Sequence, residues 1–203
     1  MARAAQRQSH DSPRDAVALL KSDHRQVEDL FERFEDADDS ELGAIAERVC
    51  QLLTVHAQIE EELLYPAAKQ AFEEEEEIDL VLEAAVEHAT AKDLIAKIEA
   101  MTPRDEEFKA TVKVLSEYIK HHVKEEEKEM FPKLKQTQLD LRELGEQLAE
   151  RKHALMEEMS IEEEEAPARS RSGGATKAKR RDVSRRAASA SRSSRASSRT
   201  ARH

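Results

Sequence analysis

Two stretches of this chain are near-copies of each other. His56-Ala57-Gln58-Ile59-Glu60-Glu61-Glu62-Leu63-Leu64-Tyr65-Pro66 and His122-Val123-Lys124-Glu125-Glu126-Glu127-Lys128-Glu129-Met130-Phe131-Pro132 both read H-x-x-x-E-E and end on an aromatic–proline pair. A second echo precedes each copy: Asp23-His24 lies 32 residues before His56, and Glu87-His88 lies 34 residues before His122. A unit of about 65 residues is therefore repeated. Each unit supplies one lone histidine and one histidine–glutamate pair, so any fold for this chain has to join two equivalent halves.

Helices are the natural material for those halves. Among 203 residues there are four glycines, five prolines and no tryptophan, and the abundant Ala, Leu, Glu and Lys favour helix over strand. We expect an all-α fold: an antiparallel four-helix bundle of two duplicated αα-hairpins, an additional C-terminal helix, and a disordered basic tail. By segment this gives a disordered leader over 1–12, the bundle and extra helix over 13–160, and a disordered Ser/Arg-rich tail over 161–203.

The first helix is expected from Ser12-Pro13 to about Asp36, with serine as cap and proline in the first turn. The second follows Ser40, and Pro66 should kink it or end its regular part. The acidic run Glu73–Glu77 reads as a solvated helix end, leading into a third helix over about 77–100. Thr102-Pro103 with Glu106 reads as the cap of the fourth, which bends or stops at Pro132. A last helix fits about 137–160, with Gly145 inside it.

The net charge of −11 conceals an asymmetry. Residues 166–203 hold 12 Lys and Arg against one acid, Asp182, while the rest of the chain holds 21 basic and 43 acidic residues. The result is an acidic body with a basic tail. The single cysteine, Cys50, allows no internal disulfide, reads as a small core residue and suits a reducing compartment. No stretch approaches the roughly 18–20 apolar residues of a membrane span. Met1 to Arg14 lacks the apolar core of a secretory signal. We therefore expect a cytoplasmic protein that does not engage the membrane.

Helical spacing places the repeated histidines inside. Leu20, His24, Val27, Phe31 and Phe34 follow a 4-3-4-3 pattern, and Val49, Leu52, His56, Glu60 and Leu63 follow 3-4-4-3, likewise one helix face. Val81, Ala84, His88 and Ile95 continue the theme, as do Leu115, Ile119, His122, Glu126 and Met130. One inward histidine is ordinary core. Four, with two inward glutamates, are not, because a buried unpaired carboxylate costs several kcal/mol. A metal centre converts that cost into binding energy. Six nitrogen and oxygen donors exceed the roughly four that zinc takes, and calcium and magnesium prefer all-oxygen sites. Mixed imidazole and carboxylate donors suit iron, with manganese next. Four histidines, two bridging carboxylates and a bridging oxide or hydroxide nearly complete two octahedra.

Asp23-His24, His56-x-x-x-Glu60 with Leu64-Tyr65-Pro66, Glu87-His88, and His122-x-x-x-Glu126 with Phe131-Pro132 closely resemble bacterial hemerythrin-like, or HHE cation-binding, domains. The resemblance covers roughly residues 14–160. It implies a four-helix bundle with a non-haem di-iron centre that binds oxygen or related species. By position, His24, His56, His88 and His122 would be terminal ligands and Glu60 and Glu126 the bridges. Oxygen-carrying hemerythrins place two histidines one turn apart on the third helix. Here Ala84 and Lys92 flank His88, so the fifth histidine is missing and one more position stands open. Glu61, Glu87 and Glu127 are candidate substitutes, each about 100° from an inward neighbour, and His121 is off-axis too.

The functional expectation is binding of oxygen, peroxide or nitric oxide, as sensor, scavenger or weak redox catalyst. An iron-handling protein is the alternative on the same site. A third reading is association with nucleic acid through residues 166–203, whose arginines could neutralise phosphates. That tail has no aromatic residue on which bases could stack.

Overall fold

A computed structural model describes residues 15–161. The leader 1–12, the Ser12-Pro13 cap and residues 162–203 of the tail lie outside the described residues. Helix α1 spans Ala16–Asp36. Its cap is Asp15, not Ser12: the backbone there is extended, and the carboxylate accepts the Ala18 N–H at 2.8 Å. An acid at this point satisfies a free N–H and faces the positive end of the helix dipole.

Helix α2 spans Leu42–Ile59 and runs through a π-helical turn, Glu60–Leu64, into α3, Tyr65–Ala71. Pro66 has no N–H to offer, so the regular α-helix ends before it. The backbone accommodates this by one inserted residue: the Tyr65 N–H reaches back to the Glu60 carbonyl. The second repeat uses the same device. Helix α5, Phe108–Glu125, passes through a π turn at Glu126–Met130 into α6, Phe131–Leu134, and the Phe131 N–H bonds the Glu126 carbonyl.

Between them, α4 spans Glu75–Glu99, with Glu75, Glu76 and Glu77 in its first turn. The fourth bundle helix starts later than its sequence suggests. Asp105 takes both the Thr102 N–H, at 2.6 Å, and its hydroxyl, at 3.1 Å, which closes a turn. The helix then begins at Phe108, a residue 2% exposed. Helix α7, Leu141–Glu158, is capped by Asp140, which accepts the Arg142 and Glu143 N–H groups at 3.0 Å.

Helices α1, α2, α4 and α5 pack in a closed ring, and α7 lies against α1 and α2. The expected stripes face the core, with Leu63 and Ile119 half-buried, and Leu82, 48% exposed, stands outside the α4 stripe. The buried face of α4 is instead Val81, Ala84, His88, Ala91, Ile95 and Ile98. Cys50 is buried, and burial pushes its thiol up to about 12. Ile161, where the sequence suggests the tail begins, is itself buried and bonds the Met156 carbonyl. Gly145 sits where α7 crosses the start of α1. A Cβ there would come within 2.6 Å of the Ala16 nitrogen and 2.7 Å of the Asp15 carbonyl carbon. Among the described residues no helix is long and apolar enough to cross a membrane.

Candidate metal centre

The ring of four helices brings all six predicted residues to one place. His24, His56, Glu60, His88, His122 and Glu126 are each 6% exposed or less, Glu60 fully buried. His24 and His56 point their Nε2 atoms at each other at 3.1 Å, and His88 and His122 do the same at 3.1 Å. The glutamates join the two pairs. Glu60 Oε2 lies 3.2 Å from His56 Nε2 and 3.4 Å from His88 Nε2. Glu126 Oε2 lies 3.3 Å from His24 Nε2 and 3.7 Å from His122 Nε2. Two groups of donors result, His24–His56–Glu60–Glu126 and Glu60–His88–His122, each compact enough to hold one ion.

Behind every imidazole stands a carboxylate. Glu127 is 3.0 Å from His24 Nδ1, Glu61 is 3.2 Å from His88 Nδ1, and Glu87 is 2.8 Å from His122 Nδ1. Asp23 faces His56 Nδ1 at 3.6 Å, a distance for charge attraction rather than a hydrogen bond. An acceptor at Nδ1 keeps the imidazole proton there, which leaves the Nε2 lone pair directed inward. Glu61, Glu87 and Glu127 thus contact histidines on neighbouring helices from the Nδ1 side. Lys92, where the fifth histidine would stand, pairs with Glu61 at 2.6 Å.

The electrostatics show what this core lacks. Both Glu60 oxygens and Glu126 Oε2 are buried without a hydrogen bond. Burial opposes charge on His56, yet Glu60 and Asp23 outweigh it and hold its pKa well above the usual imidazole range. Burial likewise opposes the Glu60 carboxylate, but His56 and His88 keep it well below the ordinary value. Burial opposes charge on His122 too, where Glu126 and Glu87 raise its pKa.

One participant has no role in the sequence reading. The Tyr65 hydroxyl lies 3.1 Å from His88 Nε2 and donates to Glu126 Oε1 at 3.1 Å. Burial, then Glu126 and Glu60, push its pKa well above the phenol range, so it remains a donor. Its only sequence signal was the aromatic–proline pair, which both repeats share. Next to the histidines a cavity of about 20 Å³ is lined by Val27, Leu53, Ala57, Ala91, Ile95, Ile119 and Val123 together with Asp23 and Lys92. This exceeds the roughly 10–15 Å³ that one water needs.

Comparison with known proteins agrees with the geometry. The chain is 31% identical over 114 residues to a DNA nickase from Nostoc sp. (strain PCC 7120), an alignment covering 56% of this chain and 31% of that protein. It therefore spans under a third of that relative's length. Its fold matches the crystal structure of a hemerythrin HHE cation-binding domain-containing protein from Mycobacterium kansasii. The TM-score is 0.61 and the identity 24%, over 71% of this chain and 88% of the other. Residues 15–134, more than half the chain, match the hemerythrin HHE cation-binding domain, and they hold all six inward donors. The chain belongs to the hemerythrin HHE cation-binding domain family.

Proposed function

We propose that this chain is a non-haem di-iron protein whose centre meets a small oxidant: oxygen, peroxide or nitric oxide. His24, His56, His88 and His122 would be terminal ligands, with Glu60 and Glu126 bridging. The observation that carries this reading is the position of Glu60, fully buried, without a hydrogen bond, and within 3.4 Å of a histidine from each pair. A carboxylate placed so serves two ions at once, and mixed imidazole and carboxylate donors suit iron first and manganese second. A bound iron pair would supply one- and two-electron exchange with the oxidant.

The chain's own residues govern access and protons. The mostly apolar cavity leaves room for about one water-sized molecule beside the histidines. Glu127, Asp23, Glu61 and Glu87 hold the ring orientations, and the Tyr65 hydroxyl, beside His88, donates to Glu126. Sensing, scavenging and weak redox catalysis all use such a site, and iron storage without turnover is the alternative.

Elemental analysis after iron-replete expression tests the reading. About two irons per chain are expected, and Glu60→Ala should lose metal at both positions. Glu62→Ala is the control, since Glu62 faces outward and pairs with Arg151 at 2.6 Å. Full iron in Glu60→Ala, or zinc alone in the unaltered protein, would overturn it. A second reading concerns nucleic acid. The 12 Lys and Arg of residues 166–203 and the relative named a DNA nickase favour it. Binding through the tail should fall steeply with salt and vanish when residues 166–203 are removed.

A further inference from the structure

Three of the four carboxylates behind the histidines are held by a permanent cation. Lys152 Nζ lies 2.6 Å from Asp23, and Lys92 Nζ lies 2.6 Å from Glu61. Arg25 and Lys21 lie 2.8 Å and 3.1 Å from Glu127. Glu87 differs. Among the described residues it has no lysine or arginine within ion-pair distance. Its Oε2 is engaged by His122, and its Oε1 faces His121 Nε2 at 3.8 Å, too far for a hydrogen bond. That imidazole nitrogen in turn lies 3.0 Å from Glu125 Oε1.

Asp23 and Glu87 are equivalent positions of the repeat, and they are equally buried, at 8% and 9% exposure. Where the first half sets an ammonium beside its carboxylate, the second half sets an imidazole and another carboxylate. That is a donor set for a cation in place of the cation itself. The first half has no such set: the residues equivalent to His121 and Glu125 are Val55 and Ile59, both core.

We propose that Glu87, His121 and Glu125 bind an exchangeable divalent transition-metal ion, of the zinc or ferrous class, at the solvent-facing edge of α4 and α5. Glu87 Oε1, His121 Nε2 and a Glu125 oxygen form a group of donors within 4.8 Å of one another. His121 and Glu125 stand one turn apart on α5, the separation at which two side chains of a helix grip one ion. Glu87 closes the triangle from α4. One imidazole and two carboxylates suit zinc or ferrous iron, with water completing the shell. The ion would stand behind Glu87 as Lys152 stands behind Asp23, supplying the positive charge missing on the His122 side.

Calorimetric titration of the full chain with zinc tests this, with the metal of the buried centre counted before and after. About one exchangeable equivalent is expected, taken up without loss of the resident metal. His121→Ala and Glu125→Gln should each weaken it by about tenfold or more. Neither should disturb folding, because the His121 side chain is 56% exposed and glutamine keeps the size of Glu125. His153→Ala, which removes the partner of Glu157 on α7, should leave uptake unchanged. No uptake by the unaltered protein, unchanged uptake in His121→Ala, loss in His153→Ala, or uptake only as resident metal is released would each overturn the proposal.

Discussion

Tyr65 and Phe131 occupy the same position of the two repeats, five residues beyond Glu60 and Glu126, and only Tyr65 carries an oxygen into the core. In a plain α-helix, five residues turn the chain by about 500°, so the aromatic side chain would face away from its glutamate. The π turns insert one residue and bring both rings back over the site. Phe131 then stacks on His24, with ring centres 6.0 Å apart and planes 5° from parallel. Tyr65 instead lies against His88 and reaches Glu126. The two halves of the centre are thereby chemically unequal.

Tyr65→Phe isolates that difference. It removes the donor to Glu126 Oε1 while keeping the ring, so a buried carboxylate oxygen loses its hydrogen bond. Metal-free protein should lose about 1–3 kcal/mol in a urea titration. The visible spectrum of the metal-loaded protein should also shift, since Glu126 and His88 are both donors of the proposed centre. Unchanged stability and an unchanged spectrum would show that the hydroxyl is idle.

Helix α7 lies beyond residues 15–134, yet it reaches the centre through Lys152, which holds Asp23 at 2.6 Å. Burial opposes charge on Asp23, but His56 and Lys152 together keep its pKa low. Lys152→Met should free the carboxylate to protonate or turn away, leaving His56 without an oriented acceptor. Metal affinity should fall by about 10–100-fold, the usual effect of losing a partner behind a ligand. Arg151→Met, which breaks an exposed, solvent-screened pair with Glu62, should change stability little and leave affinity alone. Equal affinities for the two variants, measured by competition with a chelator, would contradict the assignment.

The sequence makes the bundle and its six inward donors legible because both rest on helical spacing, which period and repetition expose directly. His24, His56, His88 and His122 fall on apolar stripes, and the structure brings those stripes together. The carboxylates behind the rings were visible only as residues about 100° off-axis. Their job depends on the helix next door: Asp23 serves His56, and Glu127 serves His24. No single-helix pattern carries that information. Tyr65 was hidden for a related reason, since a period of 3.6 residues turns it outward and only the π turn turns it in. Helix starts were misplaced where an acid competed for the cap, as Asp15 does at α1 and Asp105 does before α5.

Gly145 reads as a weak point of α7 by propensity, and alanine would gain about 1 kcal/mol on that ground alone. The crossing reverses the sign. A Cβ 2.6 Å from the Ala16 nitrogen overlaps backbone that cannot rotate away, so α7 must lift from the start of α1. Overpacking of this kind costs about 1–3 kcal/mol. Gly145→Ala should therefore destabilise the protein on balance, by thermal melting of the full chain, without altering metal uptake at the proposed centre. A raised melting temperature would mean that α7 does not cross α1 this closely.

Metal removal should weaken the fold without abolishing its helices. The apolar stripes of α1, α2, α4 and α5 pack independently of any ion, and residues such as Leu20, Leu115 and Leu148 are fully buried. The loss falls on the centre, where Glu60 and Glu126 keep buried oxygens without hydrogen bonds and the surrounding carboxylates hold the pKa of His56 well above the usual imidazole range. Any ion that binds only the folded state adds stability by mass action, about 2.7 kcal/mol at a hundredfold excess over Kd. For a helical body of this size that corresponds to roughly 5–11 °C in Tm. Circular dichroism of chelated protein should thus show nearly full helix content at 25 °C and an earlier melt. Glu60→Ala should abolish the difference between chelated and metal-loaded samples, because the carboxylate that joins the two histidine pairs is gone. Identical melting midpoints for the unaltered protein with and without metal would remove the energetic case for the buried centre.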